Sequence, residues 1–133
     1  MFSMDIRAGE DGIREAAIAD ILAGIQSIAA RRGLTATVDR VTPVNNAPCA
    51  RRLMDQLGAV LKKRGLEAFE LPSGAGHDAM MMQRITDVAM LFVRCGNGGI
   101  SHNPLETITA EDAQLAAETF VDFLRHFRAD RTN

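Results

Sequence analysis

The 133-residue sequence has no tryptophan, no tyrosine and only two cysteines, Cys49 and Cys95. The two thiols are far apart and form no CxxC pair, which favours a reduced, cytoplasmic setting in which both are ordinary small apolar side chains. No apolar run reaches the length of a membrane span. The first residues lack the basic start and apolar centre of a signal peptide. These absences predict a cytoplasmic protein with no membrane partner.

The sequence also lacks an excess of charge of one sign. Its net charge is −2, and its arginines and lysines are spread along the chain. Without a basic stripe or an aromatic platform, we expect no nucleic acid among its partners. What remains is the composition of a globular protein, with 47% hydrophobic and 24% charged residues, enough for one ordinary domain or two small ones.

Residue periodicity predicts an α/β fold in two parts. In the first part, residues 1–46, apolar and polar residues alternate at both ends, which indicates strands around a central helix that ends before Gly33. Two prolines and two asparagines within 42–50 indicate a linker. The first part is therefore predicted as β-α-β, with strands over 2–7 and 34–39, a helix over about 12–32, and an apolar stripe of Ile18, Ile21, Ile25 and Ile28.

The second part, residues 47–133, is predicted as α-β-α-β-α. Its run 88–93 is continuously apolar, which is typical of a strand covered on both faces. Thr109 and Asp112 predict a cap at the start of the last helix. The predicted elements are helices over about 50–64, 77–85 and 110–128 and strands over 66–71 and 88–93, with buried stripes of Leu53, Leu57, Val60 and Leu61 on the first helix and Ala116, Phe120, Phe123 and Phe127 on the last.

Two glycine-rich segments place a histidine just beyond a predicted strand. In 73–79 (SGAGHDA), small residues let a ligand approach the backbone, and the following helix offers N–H groups to an anion. A plain turn with a surface His77 explains that segment equally well. In 98–106 (GGISHNPLE), the loop can present the imidazole of His102 as a metal ligand. From the residues alone, an exposed loop histidine is the simpler explanation.

Arg7 is a third candidate because it ends the first predicted strand. A guanidinium there can hold a carboxylate through two parallel hydrogen bonds. A surface ion pair is the commoner role for such an arginine. The residues alone leave both roles open.

Taken together, these segments resemble the group of allantoate amidohydrolases, N-carbamoyl-L-amino-acid hydrolases and β-ureidopropionases within the co-catalytic zinc peptidases. Order and spacing fit that group over nearly the whole chain. The matching strings are Met4-Asp5-Ile6-Arg7, Ser73-Gly74-Ala75-Gly76-His77-Asp78-Ala79, Met90-Leu91-Phe92-Val93 and Gly99-Ile100-Ser101-His102-Asn103-Pro104-Leu105-Glu106.

The resemblance implies an architecture for both parts. Residues 1–46 correspond to the second half of an α/β lid domain, which forms a homodimer in that family. Residues 47–133 correspond to the C-terminal section of a zinc-peptidase-like α/β catalytic domain. The implied reaction is hydrolysis of a non-peptide C–N bond in a small ureido or N-carbamoyl substrate.

The resemblance also implies roles for individual residues. Arg7 corresponds to the lid arginine that grips the substrate carboxylate, and Gly76 and His77 correspond to the loop that contacts the same end of the substrate. His102 corresponds to the last ligand of a site for two zinc ions.

The remaining functional residues of that family match nothing in this sequence. These are its other zinc ligands, its catalytic glutamate and the histidine that reaches across the dimer, so no catalytic residue is assigned. We therefore expect a fragment that is inactive alone and does not retain zinc. The alternative, from a different class, is an independent non-catalytic α/β module that binds a ligand or a partner protein.

Overall fold

The computed structural model describes residues 1–41 and 44–129. Residues 42–43 of the predicted linker and residues 130–133 lie outside the described residues. Contacts group the chain into two compact units. Unit 1 comprises Met1–Ala47 and Leu71–Met81, and unit 2 comprises Pro48–Glu70 and the chain from Met82 onward. The helices are α1 (Asp11–Arg31), α2 (Arg51–Lys63), α3 (Ala79–Met82) and α4 (Ala110–His126), with a 3-10 turn at Asn97–Gly99.

The predicted α/β class is wrong, because the residues that the structure describes contain no strand. A strand exists only where a neighbouring strand exchanges hydrogen bonds with it, and alternating apolar residues supply a face to bury but no such neighbour. In segment 88–93, the N–H of Ala50 donates to Val88 O at 2.8 Å, which joins the segment to the start of a helix. Apolar side chains of the four predicted strands stay exposed, among them Phe2, Val38, Phe69 and Phe92.

The three long helices are confirmed within two residues of their predicted bounds. Gly33 and Gly65 follow α1 and α2 with φ of 62° and 74°, a conformation that glycine adopts at low cost. The residue after Gly33 donates its N–H to Ala29 O at 2.9 Å, and the residue after Gly65 donates to Leu61 O at 3.0 Å. Both helices thus end in the Schellman motif, which the glycine after each helix predicts from the sequence.

The start of α4 is also confirmed, whereas α3 is shorter than predicted. Thr109 Oγ1 accepts the N–H of Asp112 at 3.0 Å, which caps the first turn. The helix predicted over 77–85 is the single turn Ala79–Met82. Among the described residues, no helix has both the length and the apolar character that a membrane crossing requires.

Unit 2 has a small core where α2 packs against α4. The predicted stripe of α2 is confirmed at Leu53, Leu57 and Val60, all buried. The stripe predicted for α4 is wrong in part, because Phe120 and Phe127 are 50% and 44% exposed. These two rings line an open apolar groove beside α2. The side chain of α4 that becomes buried is Thr119.

An ion-pair cluster fastens the end of α2 to α4. Arg64 donates through Nε to Asp122 Oδ2 at 3.0 Å and through Nη1 to Glu118 Oε2 at 3.0 Å. The hydrogen bond from Arg64 holds the pKa of Asp122 below its ordinary value. The last turn of α2 therefore keeps its place on α4 through charge as well as through apolar contact.

Unit 1 is built around α1, whose apolar stripe is largely open. The only residue of α1 that is buried is Ala29, at 8% exposure. Ile21 and Ile28 are 36% and 46% exposed, and Ile13 is 59% exposed. The described part of unit 1 therefore leaves much of the predicted isoleucine stripe uncovered.

A charged cluster ties both Arg40 and Val44 to the start of α1. Arg40 donates through both terminal nitrogens to Glu15, at 2.9 and 2.6 Å. Arg14 pairs with Asp11 at 2.9 Å and with Glu15 at 3.1 Å, and it also donates to Val44 O. Glu15 thus joins the two arginines.

Acidification should loosen this cluster. The hydrogen bond from Arg40, followed by that from Arg14, lowers the pKa of Glu15 from 4.5 to about 2. Because the folded-state pKa is depressed, the stabilisation is present above pH 4.5 and is lost as the pH falls through about 2. An NMR titration of the Glu15 carboxyl should therefore show a midpoint well below the ordinary one, and Arg40→Met should move it upward. A Glu15 midpoint of 4.5 in the unaltered chain would contradict the pairing.

Candidate functional site

Arg7 meets the backbone of Gly74 inside unit 1, although 67 residues separate them. Nη1 of Arg7 donates to Gly74 O at 2.6 Å. Nε donates to both carboxylate oxygens of Asp5 at 3.0 Å, and Nη2 pairs with the same carboxylate. The hydrogen bond from Arg7 lowers the pKa of Asp5. The structure therefore brings Arg7 together with the SGAGHDA segment.

The guanidinium of Arg7 has N–H donors that are not used in the contacts of the described residues. It carries five N–H bonds, and three of them point to Asp5 and Gly74, one from each nitrogen. In the contacts of the described residues, one N–H on Nη1 and one on Nη2 are left. The side chain is 59% exposed, so these two donors are open to a ligand. Charged N–H donors of this kind form strong hydrogen bonds with carboxylates.

His77 closes the start of the one-turn helix α3. Its Nδ1 accepts the N–H of Ala79 at 3.1 Å, which requires that the ring proton sit on Nε2. The imidazole is exposed, so Nε2–H can donate to a ligand. The next two N–H groups, of Met80 and Met81, donate to His77 O and Asp78 O at 2.9 Å. The anion site expected from the free N–H groups of this helix is therefore absent from the described segment.

The packing around Gly76 would tolerate a side chain at this position. A Cβ built on Gly76 would meet the Sδ of Met80 at 3.8 Å, an ordinary contact. A Cβ built on Gly74 would meet nothing within 4 Å. Small residues at these positions keep the backbone beside Arg7 accessible to a ligand.

His102 lies in unit 2, in a loop that closes on itself. The N–H of Gly96 donates to Thr107 O at 2.8 Å, and Nδ2 of Asn97 donates to Leu105 O at 2.5 Å. His102 has a φ of 55° and is exposed. Its imidazole is therefore presented from a closed loop with an unusual backbone conformation.

A metal site is not completed around His102. Over residues 1–41 and 44–129, no group of three or more His, Cys, Asp or Glu side chains is placed to hold a metal ion. A catalytic zinc takes about three protein ligands. Glu106, the carboxylate of the same loop, is engaged with the backbone of His102. The donors that the structure describes do not fit a complete zinc site, and no chemical step through a metal is assigned to them.

The sequence motifs do not by themselves mark Asp5, Gly74 or Glu106 as site residues. The signal for Asp5 was available, because residues two apart in an extended segment share a face, and Asp5 is two residues before Arg7. The Gly74 carbonyl had no signal of its own, since the contact depends on how unit 1 folds.

The chain shows similarity to known proteins over most of its length. Residues 4–126 match the family model described as Peptidase family M20/M25/M40. The chain is 37% identical over 133 residues to allantoate deiminase 2 of Glycine max, which covers 94% of this chain and 27% of that protein. It is 32% identical over 123 residues to allantoate amidohydrolase of Bacillus subtilis, covering 92% and 30%. It is 36% identical over 111 residues to N-carbamoyl-L-amino-acid amidohydrolase of a Pseudomonas species, covering 84% and 27%.

The chain thus spans less than a third of the length of these curated relatives. No solved structure matches it.

Proposed function

This chain belongs to peptidase family M20/M25/M40, and on that premise we propose that it forms one part of a metal-dependent hydrolase of ureido or N-carbamoyl compounds. The bond cleaved is a C–N bond outside a peptide. The names of its relatives support this substrate class, since those proteins are named for action on allantoate or on N-carbamoyl-L-amino acids. In this proposal, residues 1–46 are part of a lid domain that forms a homodimer. Residues 47–133 are part of the catalytic domain.

The proposed substrate subsite consists of Arg7, Gly76 and His77. Arg7 binds the substrate carboxylate, the backbone at Gly76 lies against the same end of the substrate, and Nε2–H of His77 donates a hydrogen bond. The observation that carries the proposal is the bond from Arg7 to Gly74 O at 2.6 Å, because it places the charged donors beside the open glycine backbone. His102 contributes one metal ligand, and no residue of this chain is assigned as catalytic.

This subsite would orient the substrate by binding its carboxylate. An N-carbamoyl amino acid carries a carboxylate a few bonds away from the C–N bond that is cleaved. Binding that carboxylate orients the reacting group, and interactions remote from the reaction can lower its barrier through such positioning. The chain described here would therefore supply orientation and specificity, and the remaining metal ligands would come from elsewhere in the assembled enzyme.

The binding of a carboxylate can be tested on the chain itself. We expect N-carbamoyl-L-alanine to shift the NMR signals of the Arg7 Nε–H and of the amides from Gly74 to His77 at millimolar concentration. N-carbamoyl-L-alaninamide, which has the same shape but no carboxylate, should not shift them. Because hydrogen bonds to charged groups carry this affinity, Arg7→Ala should weaken binding by about tenfold or more.

Arg7→Lys and Arg125→Ala complete the test. Lysine keeps the charge but lacks the planar fork, so it should restore binding only in part. Arg125 is exposed, lies in unit 2 and should be replaceable without effect. Equal shifts from acid and amide, or full binding by Arg7→Ala, would refute the carboxylate subsite.

A further inference from the structure

The backbone of His102 adopts a conformation that non-glycine residues seldom occupy. Its φ of 55° lies in the left-handed region, where a Cβ crowds the backbone and glycine is favoured. Such a conformation persists only when surrounding contacts impose it. One hydrogen bond in the loop involves the backbone of His102 itself.

Glu106 makes the contact that bears directly on residue 102. The backbone N–H of His102 donates to Glu106 Oε2 at 3.0 Å. The position of Glu106 is set by a tight turn, because its own N–H donates to Asn103 O at 2.9 Å, and Asn103 Oδ1 accepts the N–H of Leu105 at 2.9 Å. The carboxylate therefore reaches back across four residues from a fixed turn.

The loop is closed independently of that carboxylate. The bonds from Gly96 N–H to Thr107 O and from Asn97 Nδ2 to Leu105 O join the two ends of the loop. Neither bond uses the side chain of Glu106. Removing the carboxylate should therefore release residue 102 while the loop stays shut.

We propose that Glu106 is a positioning residue for His102, whose carboxylate holds residue 102 in the left-handed conformation and so fixes the backbone from which the imidazole extends. The task of the imidazole rests on the proposed function. The conformational role of Glu106 rests on the loop contacts alone.

The test compares Glu106→Ala with Glu106→Gln in the full chain by NMR. Glu106→Ala should move the φ of His102 to negative values, as read from its HN–Hα coupling and its chemical shifts. It should also speed exchange of the His102 amide about tenfold or more, because a hydrogen bond to a charged acceptor is lost. Glu106→Gln keeps an acceptor oxygen and should retain most of the conformation. Glu67→Ala, an exposed glutamate of the same unit, should change neither reading.

The same substitution in a His102→Gly chain distinguishes an effect of Glu106 on residue 102 from a general stabilisation of the loop. Glycine adopts the left-handed conformation at low cost, so in His102→Gly the φ of residue 102 should stay positive whether or not Glu106 is present. Adding Glu106→Ala to His102→Gly should then lower the thermal stability much less than Glu106→Ala does in the chain that retains His102. Equal losses in both backgrounds, or an unchanged φ of His102 in Glu106→Ala, would overturn the proposal.

These measurements use neither metal nor substrate. A failed carboxylate titration would leave the role of Glu106 intact, and an unchanged φ would leave the carboxylate subsite intact. The two proposals therefore fail separately.

Discussion

At micromolar concentration, the chain should sediment as a dimer rather than as a 14.4 kDa monomer. The reason is the amount of apolar surface that it leaves open. Ile13, Ile21 and Ile28 on α1 and Phe120 and Phe127 on α4 are all more than a third exposed. Exposed apolar side chains of this kind favour association with a partner, and a second copy related by a two-fold axis is the commonest one.

Charged substitutions on α1 locate the interface. Ile21→Glu combined with Ile28→Glu should shift the sedimentation equilibrium toward monomer, because the carboxylates would have to be desolvated in the contact. Ser27→Glu adds the same charge to the same helix at an exposed polar position and should leave the dimer intact. A well-behaved monomer of the unaltered chain would contradict the expectation and would favour the independent-module alternative.

Local signals made the long helices predictable. The 3.6-residue periodicity, the glycines that follow α1 and α2, and the Thr109 cap of α4 are all contained within a few residues. Strands are different because they depend on a partner elsewhere in the chain. The apolar run 88–93 has the composition of a buried strand, yet in the described structure its contact at Val88 is with the start of α2.

The core of α4 shows a second limit of periodicity. Phe120, Phe123 and Phe127 form a regular stripe, and their rings do contact one another in series, with centroids 6.2 and 5.7 Å apart. The stripe nevertheless lines an open groove, and the adjacent Thr119 is the buried residue. The face of an amphipathic helix can be read from its sequence, but the depth at which each residue sits is set by the neighbouring element.

For the candidate site, composition pointed to the right segments but not to their contacts. Glycines beside a histidine singled out 73–79 and 98–106. The contact between Arg7 and Gly74 joins residues that are 67 positions apart, and only the resemblance to a family placed Arg7 and the segment 73–79 in one subsite. The bond from the His102 N–H to Glu106 spans only four residues, but the spacing of the two residues in the sequence does not predict it.

The largest functional effect should appear when the chain is placed in a complete relative. Alone, the chain should not hydrolyse allantoate or an N-carbamoyl-L-amino acid, because a catalytic zinc needs about three protein ligands and His102 is the one assigned here. The same segment, grafted in place of the aligned 123 residues of Bacillus subtilis allantoate amidohydrolase, should support hydrolysis. In that background, His102→Ala should lower the rate by about a hundredfold or more, since even supporting residues of metal sites carry effects approaching that size. Glu67→Ala should leave the rate unchanged.

The release of ammonia by this graft, with a divalent metal ion supplied, tests the central claim most directly. The assay would use allantoate and N-carbamoyl-L-alanine as substrates after size-exclusion chromatography has confirmed a folded graft. The account predicts ammonia release from at least one of them, lost in His102→Ala and weakened in Arg7→Ala through a higher KM. A folded graft that releases ammonia from neither substrate, or one whose activity is indifferent to both substitutions, would contradict it.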